Sequence, residues 1–409
     1  MLALAIVTSV MTGPGQTIGV SVFIGHLVRA LDTSRSVVSS AYLVGTLTGA
    51  AALPFVGRFV DRRGVRLAQL IVGLAFVVAL VVMAGVNSLP WLVVGFAGIR
   101  MFGQGSLTMI SSVTVALWFE RRRGLAMGIL ATVAGALMTL VPVALNVVIE
   151  ATSWRTAWLV AAAAVALTVV PVAHFGLIDR PASVGQSPDG DPGLEDRPPR
   201  PAIGYNRAEA VRTSQFWILA IIGSVSGMLI TGLNFHQIDL LGDAGLSSGE
   251  AAAMFLPQIL GSSMTALGIG YAIDRVGSRF IPAISMALLV VVHVLAANLD
   301  SGSMILVYAV AMGAVGGTVR AALSTLIPGY FGTVHIGAIQ GVLNVAMVGG
   351  SALGPVALAL AESATGGYRS ANLWLMALPV VATVLALANR PLEQRPALDS
   401  ATLEACVAT

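Results

Sequence analysis

Two short basic stretches constrain this chain more than anything else in it. Gly57-Arg58-Phe59-Val60-Asp61-Arg62-Arg63-Gly64-Val65-Arg66 lies between two long apolar runs. It returns 213 positions later as Gly270-Tyr271-Ala272-Ile273-Asp274-Arg275-Val276-Gly277-Ser278-Arg279. Gly, Asp, Arg, Gly and Arg fall in register in both copies. Other landmarks repeat near the same offset: Pro142 with Pro355, Trp118-Phe119 with Tyr330-Phe331, and Trp154-Arg155-Thr156-Ala157 with Tyr368-Arg369-Ser370-Ala371. A chain whose second half repeats its first in the same direction folds as two similar units joined head to tail.

The runs that flank these loops decide the solvent. Hydrophobic residues make up 56% of the chain and charged residues 10%. Soluble domains have under half and about a quarter, and a soluble core of this size would lack the polar residues to cover its outside. Windows of at least about 18 residues with almost no charge are long enough to cross a bilayer as helix. Twelve spans are expected, numbered 1 to 12 in order: 3–29, 37–57, 67–87, 91–118, 124–149, 156–178, 215–238, 251–272, 280–299, 304–329, 336–361 and 372–389. Met1 runs directly into Leu2-Ala3-Leu4, with no basic leader and no small-residue cleavage site, so this stretch is expected to be span 1 and not a signal peptide.

The fold class is therefore an all-α integral membrane protein, with twelve transmembrane helices in two six-helix halves related by an internal repeat. Parallel repeats of this kind are one transporter plan. Residues 1–178 are expected to form the first half, 179–213 a polar central loop, 214–389 the second half and 390–409 a polar tail.

An even number of spans puts both termini on one side, and the arginines choose which. The 22 basic residues are all arginine. Sixteen fall on the side of the Gly57–Arg66 loop, the central loop and the tail; the opposite side has four, Arg29, Arg35, Arg155 and Arg369. The positive-inside rule then places both termini and the central loop in the cytoplasm, with the protein in the cell inner (cytoplasmic) membrane. Cys406 is the single cysteine, so no disulfide or thiol metal cluster can form within the chain. There is no G-x-x-x-x-G-K-[ST] phosphate loop and no H-E-x-x-H. Neither an ATP-driven pump nor a metalloenzyme is indicated. No cofactor, metal or nucleic-acid partner is expected.

The paired G-x-x-x-D-R-x-G-x-R loops after spans 2 and 8 resemble the signature loop of the major facilitator superfamily, as does Arg100-Met101-Phe102-Gly103-Gln104-Gly105 in span 4. Within it, Gly13-Pro14-Gly15-Gln16-Thr17, Trp118-Phe119 with Arg121-Arg122-Arg123-Gly124-Leu125-Ala126-Met127-Gly128, and Tyr330-Phe331-Gly332 look like the monocarboxylate and oxalate–formate branch. The resemblance implies that Asp61 and Arg62 latch the two halves together. A carboxylate there would face the start of span 11 near Ile336, where free N–H groups and the helix dipole favour an anion. Gly57 and Gly64 would allow close helix approach and a tight turn. Arg66 and the second copy, Asp274, Arg275, Gly277 and Arg279, belong to the same gating set. For Arg58 and Arg63, topology set by anionic lipid is the simpler reading.

All nineteen acids lie in loops, tails or span ends, whereas Arg100 and Arg320 lie inside spans. A guanidinium within a membrane is costly and normally faces a cavity or a partner. Without an acid in the spans, the natural counter-charge for Arg320 is an anionic substrate; packing against backbone carbonyls is the competing reading. Arg100, matching the superfamily pattern, is expected to be structural or coupling-related. Gln16 follows Gly13-Pro14-Gly15, where the helix must loosen. Asn234 and His236 end span 7 and Gln258 begins span 8, all expected near the outer mouth or upper cavity, with His236 as readily solvated as proton-handling; with Gln16, Arg100 and Arg320 they make up the candidate substrate-binding set. His293 is expected to pack or to face lipid. Span 8 lacks the charges, and span 1 the lysine, that monocarboxylate carriers typically have there, which leaves a broader small-organic-anion reading.

The expected activity is secondary active transport of a small organic anion by a monomer, with protons as the candidate coupling ion. A drug exporter of the same fold is the alternative, but a cationic drug would want a buried carboxylate. A cysteine placed at Ser187 is expected to resist a membrane-impermeant maleimide in intact cells, and strong labelling from outside would reverse the orientation. Asp61→Asn is expected to slow transport by hindering exchange between states, and a normal transport rate in that variant would leave Asp61 with no gating role.

Overall fold

The computed structural model describes residues 1–119, 123–186, 205–265, 280–299, 302–331 and 336–389. Every element among them is a helix or a turn. The second copy of the basic loop, with Asp274, Arg275, Gly277 and Arg279, lies outside the described residues, and so does the side chain of Asp61.

Span 1 is not one helix. Leu2–Met11 gives way to a 3-10 turn at Gly13–Gly15, then to Thr17–Ser21 and Ile24–Ala30. Pro14 has no N–H to donate, and its glycine neighbours do not resist the loosening. Spans 2 and 3 run as Arg35–Ala84, interrupted only at Gly64 (φ +83°, ψ 166°). The basic loop is thus a kink at one glycine. A Cβ at Gly64 would meet the Asp179 carboxylate, 2.5 Å from its carbon. That carboxylate accepts from the Arg66 backbone N–H at 2.9 Å, while the Arg66 guanidinium donates to the His174 carbonyl at 2.6 Å. Gly64 and Arg66 are therefore fastened to the end of span 6.

Span 4 comprises Leu89–Gly98, a π-helical segment Ile99–Leu107, and Thr108–Trp118. Span 5 is Arg123–Met138 with Leu140–Ala151, and span 6 is Trp154–Pro171 closed by a π turn at Val172–Gly176. Span 7, Ser214–Phe235, stops three residues earlier than expected. It breaks at His236 and resumes as Gln237–Asp243. Span 8 begins as Ser248–Ala253 and turns at 254–256, before Pro257, and residues 257–265 are helical again. Spans 9 and 10 are Ile281–Ala297 and Ser303–Phe331. Span 11, Ile336–Thr365, runs four residues past its expected end, with Pro355 inside it. Span 12 is Tyr368–Leu375 with Ala377–Ala388. The repeat shows in these boundaries: Trp154 and Tyr368 each open the last span of their half.

Packing within the halves relies on small residues. A Cβ on Gly354 would meet the Met228 carbonyl oxygen, so spans 7 and 11 touch backbone to backbone. Gly313 against Gln258 does the same for spans 10 and 8. Lipid supplies no hydrophobic force between helices, so close approach is what holds them. The outward face is apolar, with Leu167, Phe175 and Trp374 between 71% and 84% exposed. Such residues are at ease against acyl chains.

Contacts between the halves gather at the end of the bundle away from Gly64. Arg35 pairs with Asp239 at 2.8 Å. Ser36 Oγ and Ser363 Oγ are 3.4 Å apart, and the rings of Tyr42 and Phe235 meet at 4.7 Å. Phe235 and Ala252 of the second half are embedded in the core of the first. At the loop end, Gly128 and Gly341 face open space, and a Cβ on Gly57 would approach nothing nearer than Met109 Sδ at 4.0 Å. The close approach expected at Gly57 is not made in this state, because the halves are joined at the opposite end. Gly64→Ala is expected to lower stability by about 1–3 kcal/mol through backbone strain and the Asp179 contact. Gly128→Ala is expected to stay within about 0.5 kcal/mol of the parent. Thermal unfolding in detergent checks both; equal melting temperatures for Gly64→Ala and the parent would refute the assignment of Gly64.

Candidate functional site

The polar side chains within the spans collect where the helices break. In span 1 the Gly13–Gly15 turn frees the Gly15 carbonyl, and Arg100 donates to it at 3.3 Å. The π segment of span 4 carries Arg100, whose guanidinium also donates to Thr46 Oγ1 at 3.1 Å and lies 4.8 Å from the Tyr42 ring centroid. Tyr42 shares a hydrogen bond of 2.8 Å with Thr17. Arg100 is only 5% exposed. A charged donor on a freed carbonyl, with a ring beneath it, is a structural arrangement. Gln16 ends the 3-10 turn and donates to Thr12 Oγ1 at 3.0 Å, half-buried.

The break after span 7 is organised by His236. The sequence left open a solvated ring, but the structure buries it completely. Its Nε2 lies 3.0 Å from the Pro355 carbonyl oxygen and its Nδ1 3.1 Å from the Tyr368 hydroxyl. Three spans, 7, 11 and 12, meet at this one ring. The same logic covers the break in span 8: Gln237 donates to the Ala251 carbonyl at 3.2 Å, and Gln258 donates to Gln237 Oε1 at 2.9 Å. Asn234 Oδ1 is buried with no hydrogen-bond partner. His293 packs rather than facing lipid: it is 1% exposed, and its Nδ1 is 2.9 Å from Asn372 Oδ1.

Arg320 differs from Arg100. It sits in span 10, eleven residues before the helix end at Phe331, about 16 Å along the axis at 1.5 Å per residue. Its side chain is exposed, and it donates to Ser262 Oγ at 2.7 Å. Among the described residues no carboxylate pairs with it; the one ion pair is Arg35–Asp239. Gln258 lies one helical turn from Ser262 on the same segment. The structure thus brings Arg320 beside Ser262 and Gln258 beside Gln237, while Gln16 and Arg100 belong to the broken span 1.

At the loop end, Phe55, Arg58, Phe59, Arg62 and Arg63 line a cleft of about 420 Å³. Arg58 lies 5.9 Å from the Phe55 ring centroid. Sequence reasoning missed Tyr42, Ser262 and Tyr368, which are uncharged, and it read Arg35 only as a topology signal. The sole hint was that Tyr368 opens a repeated block. The stretch Gly245-Leu246-Ser247-Ser248-Gly249 has the spacing of a hydrolase nucleophile turn. Here Ser247 caps a short helix, accepting from the Glu250 backbone while the Glu250 carboxylate accepts from it.

The chain matches a family model of the Major Facilitator Superfamily over residues 4–292. The chain belongs to the Major Facilitator Superfamily. It is accordingly a multi-pass membrane transporter. A bacterial homologue of the human lysosomal transporter Spinster, in an inward-facing and occupied conformation, superposes with a TM-score of 0.73 at 15% identity, covering 94% of this chain and 95% of that one. The nucleoside transporter NupG superposes with a TM-score of 0.75 at 12% identity, covering 95% and 98%. At such identities these likenesses carry the superfamily fold. Human Monocarboxylate transporter 14 is 32% identical over 143 residues, which is 35% of this chain and spans 27% of that relative's length.

Proposed function

We propose that this protein is a secondary transporter for a small organic anion of the monocarboxylate kind, with Arg320 as the substrate's counter-charge. The observation that carries the reading is an exposed guanidinium midway along a span, held by one neutral hydroxyl, with no acid paired to it among the described residues. Placing such a charge in a membrane costs about 2.5–3.5 kcal/mol on insertion scales. A carboxylate recovers part of that through a bidentate, charge-assisted contact suited to the guanidinium fork. Ser262, already 2.7 Å away, supplies a hydroxyl to the same ligand. The partial likeness to a monocarboxylate transporter supports the same class.

With the termini and central loop in the cytoplasm, the open end is the cytoplasmic one and this state faces inward. Asp61 and Arg62 then close that end in the alternate state, while the pair Arg35–Asp239 separates. The cycle is rocking of residues 1–178 against 214–389 about the site, carried out by a monomer in the cytoplasmic membrane.

The test is a ligand-induced thermal shift in detergent across a panel of carboxylates, sugars and cationic dyes. Wild type is expected to shift with carboxylates. Arg320→Lys is expected to fold and to bind them at least about tenfold more weakly, equivalent to about 1.4 kcal/mol. Arg320→Gln is expected to fold and to lose the shift. A well-folded Arg320→Gln with the full carboxylate shift would remove Arg320 from the site, and a shift with dyes alone would favour an exporter of hydrophobic molecules.

A further inference from the structure

The proposed function uses one residue of the cleft at the loop end, Arg62, and does not explain the cleft. Phe55, Arg58, Phe59, Arg62 and Arg63 line about 420 Å³, within the roughly 300–1,000 Å³ of pockets that hold small molecules. These five are positions i, i+3, i+4, i+7 and i+8 of one helix, so they share a face. Phe55 and Arg63 stand about 12 Å apart along the axis at 1.5 Å per residue. Phe55 lies in the last turn of span 2 and is 67% exposed, whereas Arg62 and Arg63 lie exposed in the basic loop. Arg58 stands between them, 5.9 Å from the Phe55 ring centroid. The face therefore runs from aromatic at the membrane end to cationic at the water end. Arg66, the last arginine of the loop, is taken up by the His174 carbonyl. Arg58, Arg62 and Arg63 make no ion pair among the described residues, where the one pair is Arg35–Asp239.

We propose that this cleft is a binding site for a phosphate monoester carried on an apolar body. The phosphate lies against the guanidiniums of Arg58, Arg62 and Arg63, and the apolar body lies along Phe55 and Phe59. A monoester has a charge of about −1.5 to −2 at pH 7 and three strong acceptor oxygens. Three guanidiniums match it in charge and offer forked donors to every oxygen. A phosphodiester brings a single charge to the same donors. A zwitterionic headgroup adds an ammonium, which the guanidiniums repel. A nucleotide base would want neutral donors and acceptors along its edge, and the described lining consists of phenylalanine and arginine. Two sources carry the favoured chemistry: a phosphatidate of the bilayer, and an aryl or alkyl phosphate dissolved in the water at that end. The inference rests on the cleft alone and stands whether or not Arg320 binds a carboxylate.

The experiment is calorimetric titration of the full chain in a neutral detergent. The probes are dihexanoyl phosphatidate for the bilayer source, phenyl phosphate for the water-borne source, and dihexanoyl phosphatidylglycerol and phosphatidylethanolamine for comparison. Phosphatidate is expected to bind at least about tenfold more tightly than either comparison lipid at about pH 8, and to lose that advantage towards about pH 5 as the monoester takes up a proton near its second pKa of about 6. Arg58→Gln with Arg63→Gln is expected to weaken phosphatidate at least about tenfold by removing two charge-assisted contacts. Arg207→Gln with Arg212→Gln, exposed arginines outside the cleft, is expected to stay within about twofold of the parent. Arg58→Lys with Arg63→Lys keeps the charge, loses the forks and is expected to bind at an intermediate strength. Phosphatidate binding alone supports the bilayer source, and phenyl phosphate binding alone supports the water-borne one, provided the cleft variant loses it. Binding of neither overturns the proposal. So does phosphatidylglycerol that matches phosphatidate, or an equal loss in the cleft and control variants, which is attraction to surface charge in general. Should the glutamine variant fail to fold, the lysine variant carries the test, and unchanged affinity in it overturns the proposal. The phosphate probes carry no carboxylate, so this reading and the carboxylate thermal shift at Arg320 fail separately.

Discussion

The backbone of a helix in lipid has no water to turn to, and this one constraint organises the molecule. Each unpaired amide or carbonyl in the hydrocarbon region costs several kcal/mol, so every break in a span must be answered by a side chain. The Gly13–Gly15 turn frees a carbonyl, and Arg100 answers it. Span 7 stops at Phe235, and His236 reaches across to Pro355 in span 11. Span 8 turns at 254–256, with Gln237 and Gln258 closing the gap. The polar residues of an otherwise apolar chain are therefore concentrated at its breaks, and the breaks are where the helices can flex.

The asymmetry of the bundle follows from where its charges found partners. At one end the only ion pair among the described residues crosses between the halves, flanked by Tyr42, Phe235 and paired serines. At the other end Arg66 is spent within its own half, on Asp179 and the His174 carbonyl. Glycines there face open space. A partly exposed ion pair is worth only about 0–1 kcal/mol. The burial of Phe235 and Ala252 in the core of the first half therefore contributes more to the joint than the ion pair does.

Much of the architecture was legible in the order of residues. The first copy of the basic loop, the uncharged runs and the Trp154 and Tyr368 blocks all reappear as real boundaries, because a bilayer leaves helix length and charge placement little freedom. The kink at Gly64 was readable for the same reason: few residues other than glycine tolerate its φ. The polar contacts were less readable. Arg100 and Arg320 look alike in sequence, each a lone arginine in an apolar run. One is buried on a carbonyl and a ring, the other exposed beside a hydroxyl. His236 reads as a residue at a helix end near water, and it is enclosed by three spans.

The sequence by itself determined the solvent, the number and parallel duplication of the spans, and the loosening of span 1 at Gly13-Pro14-Gly15, since these depend on local polarity, on proline and glycine, and on hydrogen bonds within a single helix. Only the tertiary structure decided at which end the two halves are joined, which arginine is buried on a carbonyl and a ring, and which is left exposed beside a hydroxyl. Those outcomes depend on pairings between residues far apart in the chain, such as Arg35 with Asp239 or His236 with Pro355 and Tyr368. The energy of each pairing exists only once distant helices have come within hydrogen-bonding distance.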